Sequence, residues 1–324
     1  MSNNGLKNKN ELLQKIVGNT EVLCNVTKYH GNISLKINLL STLGVNSTDF
    51  FLYYNSFNNT NVGFGTGFTC NFYKKIIYSN SKYLMTTYDG LEYEFDYVEQ
   101  SKYYNQELNQ IIEEHAGALQ IKDDFGNVYN YLSTGNYPTS ISLGQNDYEI
   151  NYFVSNGYLT RLEIMSGSRL VSTIYITYTL VSGSYYATQI RCTKPNNTYN
   201  ISYVSSKISA ISSSITGQND LLSNMSYTHN SDYLIVKDNI TSKRCKVEFD
   251  IDSQYQTYII DKIEEYYYIN NSSIDKITTL LAHTDKYVKI YDNYGYVEYL
   301  YYDIERFGYF FDNKQMLIKC VYYN

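Results

Sequence analysis

Hydrophobic and polar positions alternate along most of the chain. Tyr148, Ile150, Tyr152 and Val154 share one face of residues 148–154, with Glu149 and Asn151 opposite. Ile174, Ile176, Tyr178 and Leu180 do the same against Thr173, Tyr175, Thr177 and Thr179. Tyr199, Ile201 and Tyr203 repeat the pattern, and Leu91, Tyr93, Phe95 and Tyr97 alternate with Glu92, Glu94 and Asp96. A period of two means strands with one buried face, the antiparallel arrangement. Turn signals separate the runs: Asp89-Gly90, Gly126-Asn127, Asn156-Gly157, Pro195-Asn196-Asn197 and Tyr294-Gly295. Asn-Gly and Asp-Gly supply the positive φ of tight hairpins. The expected fold is all-β, made of antiparallel hairpin repeats that form a curved or rolled sheet.

Three segments read differently. Leu12, Leu13, Ile16 and Val17 fall on one helical face with Asn10 as cap, which predicts a short N-terminal helix. Tyr104, Leu108, Ile111 and Ile112 fit helical spacing, as do Ile274, Ile277 and Leu281 after Ser273. Both of these sit where the hairpin repeat wants a strand, and for 274–281 the repeat is preferred. The domain reading is an N-terminal segment, 1–30, and a repeat domain, 31–324.

Composition adds 40 Tyr, no Trp and 2 Pro, with abundant Asn. Tyr favours strands and Asn favours turns. A net charge of −6 without a basic run argues against nucleic acid, whose binding rests on phosphate contacts. The start has no apolar core of a signal peptide, and no run approaches a membrane span. Cys24, Cys70, Cys192, Cys245 and Cys320 are far apart and odd in number, which predicts buried thiols rather than a disulfide framework or a zinc site.

Weak internal copies are visible. Residues 151–162 (NYFVSNGYLTRL) resemble 201–211 (ISYVSSKISAI), and Asp123-Asp124-Phe125-Gly126 resembles Asp292-Asn293-Tyr294-Gly295. With Leu52-Tyr53-Tyr54-Asn55-Ser56, the Gly-rich run 62–72 and Tyr88-Asp89-Gly90-Leu91, these motifs stand in the order found in the N-terminal part of the core of Rhs or YD-repeat proteins. The chain resembles that family from about residue 31 onward. It departs from it at Phe68, where the family has Trp, and no counterpart of the family's self-cleaving region is found. The resemblance implies a spiralling β-shell that encloses or displays another polypeptide, with no chemistry or cofactor of its own. Its partners would be cargo or neighbouring shell or tail subunits, reached by a specialised export route or within a virion.

Candidate chemistry is sparse. Gly63, Gly65 and Gly67 make a Gly-rich loop, but strand-like flanks predict a structural turn rather than a phosphate cradle, which needs a following helix. Gly126, Gly157 and Gly295 read as further structural turns. His30, His115, His229 and His283 stand apart, without metal-ligand spacing. Asp123, Asp124, Asp250, Asp252, Glu264, Glu265 and Asp303 could supply a glycosidase pair at about 5–10 Å, but no motif brings two together. No catalytic, metal or cofactor residue is therefore assigned. Tyr185-Tyr186, Tyr266-Tyr267-Tyr268 and Tyr301-Tyr302 would put rings on both strand faces, where an exposed ring stacks on sugar. The expected role is a non-enzymatic scaffold for encapsulation, display or attachment. The alternatives are a phage-tail or cell-surface adhesin that binds glycan through Tyr, and a glycan-cleaving enzyme.

Overall fold

A computed structural model describes residues 12–26, 31–40, 49–144, 147–218, 220–252, 257–269, 273–283, 287–301, 307–311 and 317–322. Among them there is no helix, and every paired strand is antiparallel to its neighbour. Two bodies of sheet arise. The first holds β1 (Leu12–Val17), β2 (Thr20–Asn25), β3 (Asn32–Leu40), β4 (Phe50–Asn55) and β5 (Phe68–Cys70), in chain order. The 30/31 position falls between β2 and β3, which pair.

The second is a meander. It starts with β6 (Lys74–Ser79), β7 (Lys82–Thr87), β8 (Glu92–Glu99), β9 (Lys102–Asn105), β10 (Gln110–His115), β11 (Ala118–Lys122) and β12 (Val128–Tyr131). It continues through β13 (Ser140–Ser142), β14 (Tyr148–Ser155), β15 (Tyr158–Ser166), β16 (Arg169–Val181), β17 (Ser184–Cys192), β18 (Asn197–Val204), β19 (Lys207–Ile215) and β20 (Leu221–His229). It ends with β21 (Tyr233–Asp238), β22 (Arg244–Asp252), β23 (Thr257–Ile269), β24 (Ser273–His283), β25 (Tyr287–Asp292), β26 (Val297–Tyr301), β27 (Phe307–Phe311) and β28 (Leu317–Tyr322).

The expected N-terminal helix is corrected to strand β1. Its residues satisfy both periods, but Gly18, at φ +55°, turns the chain so that Val17 pairs with Thr20. Leu13, Lys15 and Val17 then face inward: Val17 is fully buried, and the Lys15 ammonium meets the Glu265 carboxylate on β23 at 2.6 Å. The segment around Tyr104 is likewise β9, a turn and β10, and 274–281 lies within β24.

The inward face of the first sheet lies on the inward face of the meander. Val22, Leu35, Ile37, Leu52 and Phe68 share one core with Ile150, Leu162, Ile174, Ile190, Ile211, Val236 and Ile263. The outer face of the first sheet carries Lys36 paired to Glu21 at 3.1 Å, and beside it Phe51 and Tyr53, which pack on Tyr88 with centroids 5.3 and 5.5 Å away. The strands β6 to β12 have no such cover. They curl around their own cluster of Ile76, Tyr83, Met85, Phe95, Tyr103, Ile112, Ile121 and Tyr131. The curl is joined where Ile76 bridges Gly135, through hydrogen bonds of 2.8 and 3.0 Å.

Candidate functional site

The residues singled out by sequence are mostly engaged with backbone. Gly63, Gly65 and Gly67 hold φ of +102°, +98° and +82°. The amides of Gly63 and Gly65 donate to the Asn61 side-chain oxygen at 2.8 and 3.1 Å. The loop is docked on the meander: Ala187 N donates to Gly63 O, and Thr66 N to Ser206 O, both at 2.7 Å. A Cβ on Gly65 would stand 2.7 Å from the Ser206 carbonyl.

The two Asp-x-x-Gly units fold alike. Asp123 Oδ1 accepts from Phe125 N and Asn127 N at 3.0 and 2.9 Å. Asp292 Oδ1 accepts from Tyr294 N and Tyr296 N, both at 2.9 Å. In each, the Gly amide closes the turn onto the Asp carbonyl, with Gly126 and Gly295 at positive φ. Both aspartates are turn formers, the role in which Asp orders its own backbone. Gly157 sits at φ +81° after Asn156 at +52°, a two-residue hairpin turn.

Glu264 and Glu265 point to opposite faces of β23. Glu265 binds Lys15. Glu264 accepts from Tyr266 OH at 2.8 Å and lies 2.5 Å from Lys276 and 3.4 Å from Lys262. Burial raises its pKa, but Lys276, Tyr266 and Lys262 outweigh that and hold it at about 2. Asp261 is raised by burial and by Asp250, while Glu248 is lowered by Lys246 and Lys262 against the opposing effect of burial. These are carboxylates with opposed shifts, but Glu248 is clamped by Lys246 at 2.5 Å and Lys262 at 2.8 Å. His115 is exposed beside Glu113. His30 and Asp303 lie outside the described residues, as do the side chains of Asp252, Tyr267, Tyr268 and Tyr301.

A recurring use of rings was not visible in sequence. In four hairpins turning on the same edge, the returning strand carries one extra residue: Thr160, Thr188, Ser209 and Asp261. Such a bulge interrupts the ladder beside it. The preceding residues, Leu159, Ala187, Ile208 and Ile260, are fully buried, so their carbonyls need partners. Each faces a ring from the next bulged hairpin or the strand beyond, and three of the four accept a hydrogen bond from it. Tyr178 OH donates to Leu159 O and Tyr203 OH to Ala187 O, both at 2.8 Å. His283 Nε2 bonds Ile260 O at 2.7 Å, and the Ile208 carbonyl faces the imidazole of His229. Bulges on the opposite edge follow Leu170 and Leu221, which are exposed.

His229 lies beside open space. It lines a cleft of about 760 Å³ between the tips of three hairpins, with Lys207, Ser209, Ser226, Thr228, Asn230 and Tyr258. Behind it a void of about 20 Å³, enough for one water, is shared with Tyr54 and Ser56. The His229 ring packs edge-on against Tyr54, with centroids 5.1 Å apart. Burial, and then the Lys207 charge, lower its pKa to about 4, with the Ile208 carbonyl opposing, so the ring is neutral at neutral pH. Its Nε2 is enclosed and has no hydrogen-bond partner. The Lys207 ammonium touches Tyr54 OH at 3.3 Å, and burial alone lowers its pKa, with no carboxylate contributing. This is a cation in a hydroxyl-rich cleft without a counter-ion among the described residues.

Among the described residues no group of three or more His, Cys, Asp or Glu could hold a metal ion, and no helix is long and apolar enough to cross a membrane. No protein-family model and no curated protein matches the chain. Similar solved structures include a porin-like protein from Bacteroides uniformis, at 9% identity and TM-score 0.19, covering 82% of this chain and 92% of that one. Another is BamB from Moraxella catarrhalis, at 9% identity and TM-score 0.13, covering 98% and 90%.

Proposed function

We propose that the chain is a non-enzymatic scaffold module of the Rhs/YD-repeat type, used for display or attachment. The observation that carries this reading is where its polar groups go. Asp123 and Asp292 form turns, tyrosine and histidine rings meet carbonyls beside bulges, and Glu264 and Glu265 tie strands together. A scaffold needs such groups to satisfy buried backbone, whereas an enzyme needs some left free to meet substrate. The inward face of β14 to β23 is covered by the chain's own first sheet, which favours display or attachment over enclosing a second polypeptide.

The test is a panel of polysaccharides incubated with the purified chain and with Asp123→Ala, Asp261→Ala and His229→Gln variants. The scaffold reading expects no released reducing ends from any of them. Turnover by the parent chain that one folded variant loses would replace it with the enzyme reading.

A second reading, attachment to glycan through tyrosine, is favoured by one patch on the small curl. Tyr78 and Tyr97, 52% and 60% exposed, pack against buried Tyr83 and Tyr103 with centroids 4.9 to 6.3 Å apart. Exposed rings held rigid from behind are suited to stacking on sugar faces.

A further inference from the structure

We infer that the cleft between the hairpin tips at Ser205, Asn230 and Ile251 binds an oligosaccharide bearing a carboxylate, with Lys207 as the residue that meets the acid group. The inference rests on the attachment reading for its setting and adds to it a place and a ligand class.

The argument begins with charge. A half-buried ammonium is costly unless an anion or several acceptors surround it. Lys15, which reaches the inward face of β23, has the Glu265 carboxylate at 2.6 Å, and the half-buried Lys74 has the Tyr129 ring at 3.5 Å and the charge of Asp123. Lys207 has the Tyr54 hydroxyl at 3.3 Å and the Tyr54 ring at 5.6 Å. Neutral His229 adds no competing charge beside it. A carboxylate entering the cleft would supply the missing counter-ion through a charge-assisted hydrogen bond.

The walls then narrow the ligand. Ser205, Ser209, Ser226, Thr228, Asn230 and Ser231 bring hydroxyls and amides to the cleft, and Val204, Ile208 and Ile251 bring apolar surface, a mixture matched to the hydroxyls and apolar faces of a sugar. Tyr258 supplies an aromatic wall fixed from behind by Phe249, with ring centroids 4.9 Å apart. Its backbone is tied to the first sheet, with Tyr258 N donating to Gly31 O at 3.0 Å. At about 760 Å³ the cleft accommodates two or three sugar units, in the range of ordinary ligand sites. A uronic acid oligomer combines the three features: a carboxylate, a ring of hydroxyls and an apolar sugar face.

The experiment is a calorimetric titration of the full chain with trigalacturonate, maltotriose and sodium acetate. Trigalacturonate is expected to bind, with maltotriose and acetate at least tenfold weaker. Lys207→Gln is expected to weaken trigalacturonate at least tenfold while thermal unfolding shows the fold kept. Thr228→Trp, which fills the cleft from an exposed position, gives an independent loss should the first variant fold poorly. Lys82→Gln, on the distant curl, is expected to bind as the parent does. Failure of trigalacturonate to bind, or binding that survives both cleft variants, overturns the proposal. Binding lost instead with Tyr78→Ala and Tyr97→Ala overturns the cleft but leaves the attachment reading standing. Absence of binding to any glycan on an immobilised panel removes glycan attachment as well.

Discussion

The two parts of the meander solve one problem in different ways. A long antiparallel sheet has one apolar face that must be covered. From β13 to β25 the cover is a separate sheet, β1 to β5, which shares one core with these strands. From β6 to β12 there is no second sheet, and the strands curl until Ile76 meets Gly135. The covered part carries bulges in hairpin after hairpin, and the curl carries one register shift, between Tyr97 and Glu99. A bulge bends and twists its strand. The repeated bulges let the wide sheet bow around its cover, and the price is a buried carbonyl at each. Rings from the following strands remove that cost. The hairpin β20–β21 provides an internal control: its ladder has no register shift, and the aromatic on β22 beside it is Phe249, which has nothing to donate.

The largest expected difference between the two parts is in unfolding. Ile176→Asp buries an unpaired charge in the shared core and should leave no folded chain. Ile112→Asp does the same in the curl and should open residues 74–131 while the covered sheet keeps its slow hydrogen exchange. Exchange read by mass spectrometry checks both, and simultaneous loss of both parts in each variant would show a single cooperative unit.

The docked loop comes next. Gly65→Val adds strain at positive φ and a clash with the Ser206 carbonyl, so it should cost roughly 1–3 kcal/mol or more in urea unfolding. Gly157→Ala, also at positive φ but with open space around it, should cost about 1 kcal/mol.

Acid should loosen the covered part first. His229 is neutral and buried, with a folded pKa of about 4 against 6.5 for the free side chain. The unfolded chain therefore takes up the extra proton between those values. Stability is fully present above pH 6.5 and falls as pH drops toward 4, by roughly 1–2 kcal/mol after allowance for partial exposure. His229→Gln should flatten that slope.

Much of this architecture was legible as period-two alternation, because each strand buries one face. Two things were not. Leu13, Ile16 and Val17 fit one helical face, and what decides for the strand is the turn at Gly18 and the pairing with β2, with Lys15 tied to Glu265 far along the chain. The inward run Ile174, Ile176, Tyr178, Leu180 also ends early: Leu180 is 57% exposed because the first sheet does not reach the hairpin tip. The cleft was illegible for the same reason. His229 is isolated in sequence, and Lys207, Tyr54 and Tyr258 reach it from three separate strands. The ring series left a faint trace in the similarity of 151–162 and 201–211, but the small residues that mark the bulges, Thr160, Thr188 and Ser209, read as ordinary solvent-face positions.

The smallest effect is the most direct test of the claim that tyrosine here is backbone chemistry. Tyr203→Phe removes only the hydroxyl that meets the Ala187 carbonyl. Tyr152→Phe removes a buried hydroxyl that has no partner. Urea unfolding of the two variants beside the parent chain should show a loss of about 1 kcal/mol for Tyr203→Phe and none, or a slight gain, for Tyr152→Phe. Equal losses in the two, or no loss at Tyr203, would contradict the account.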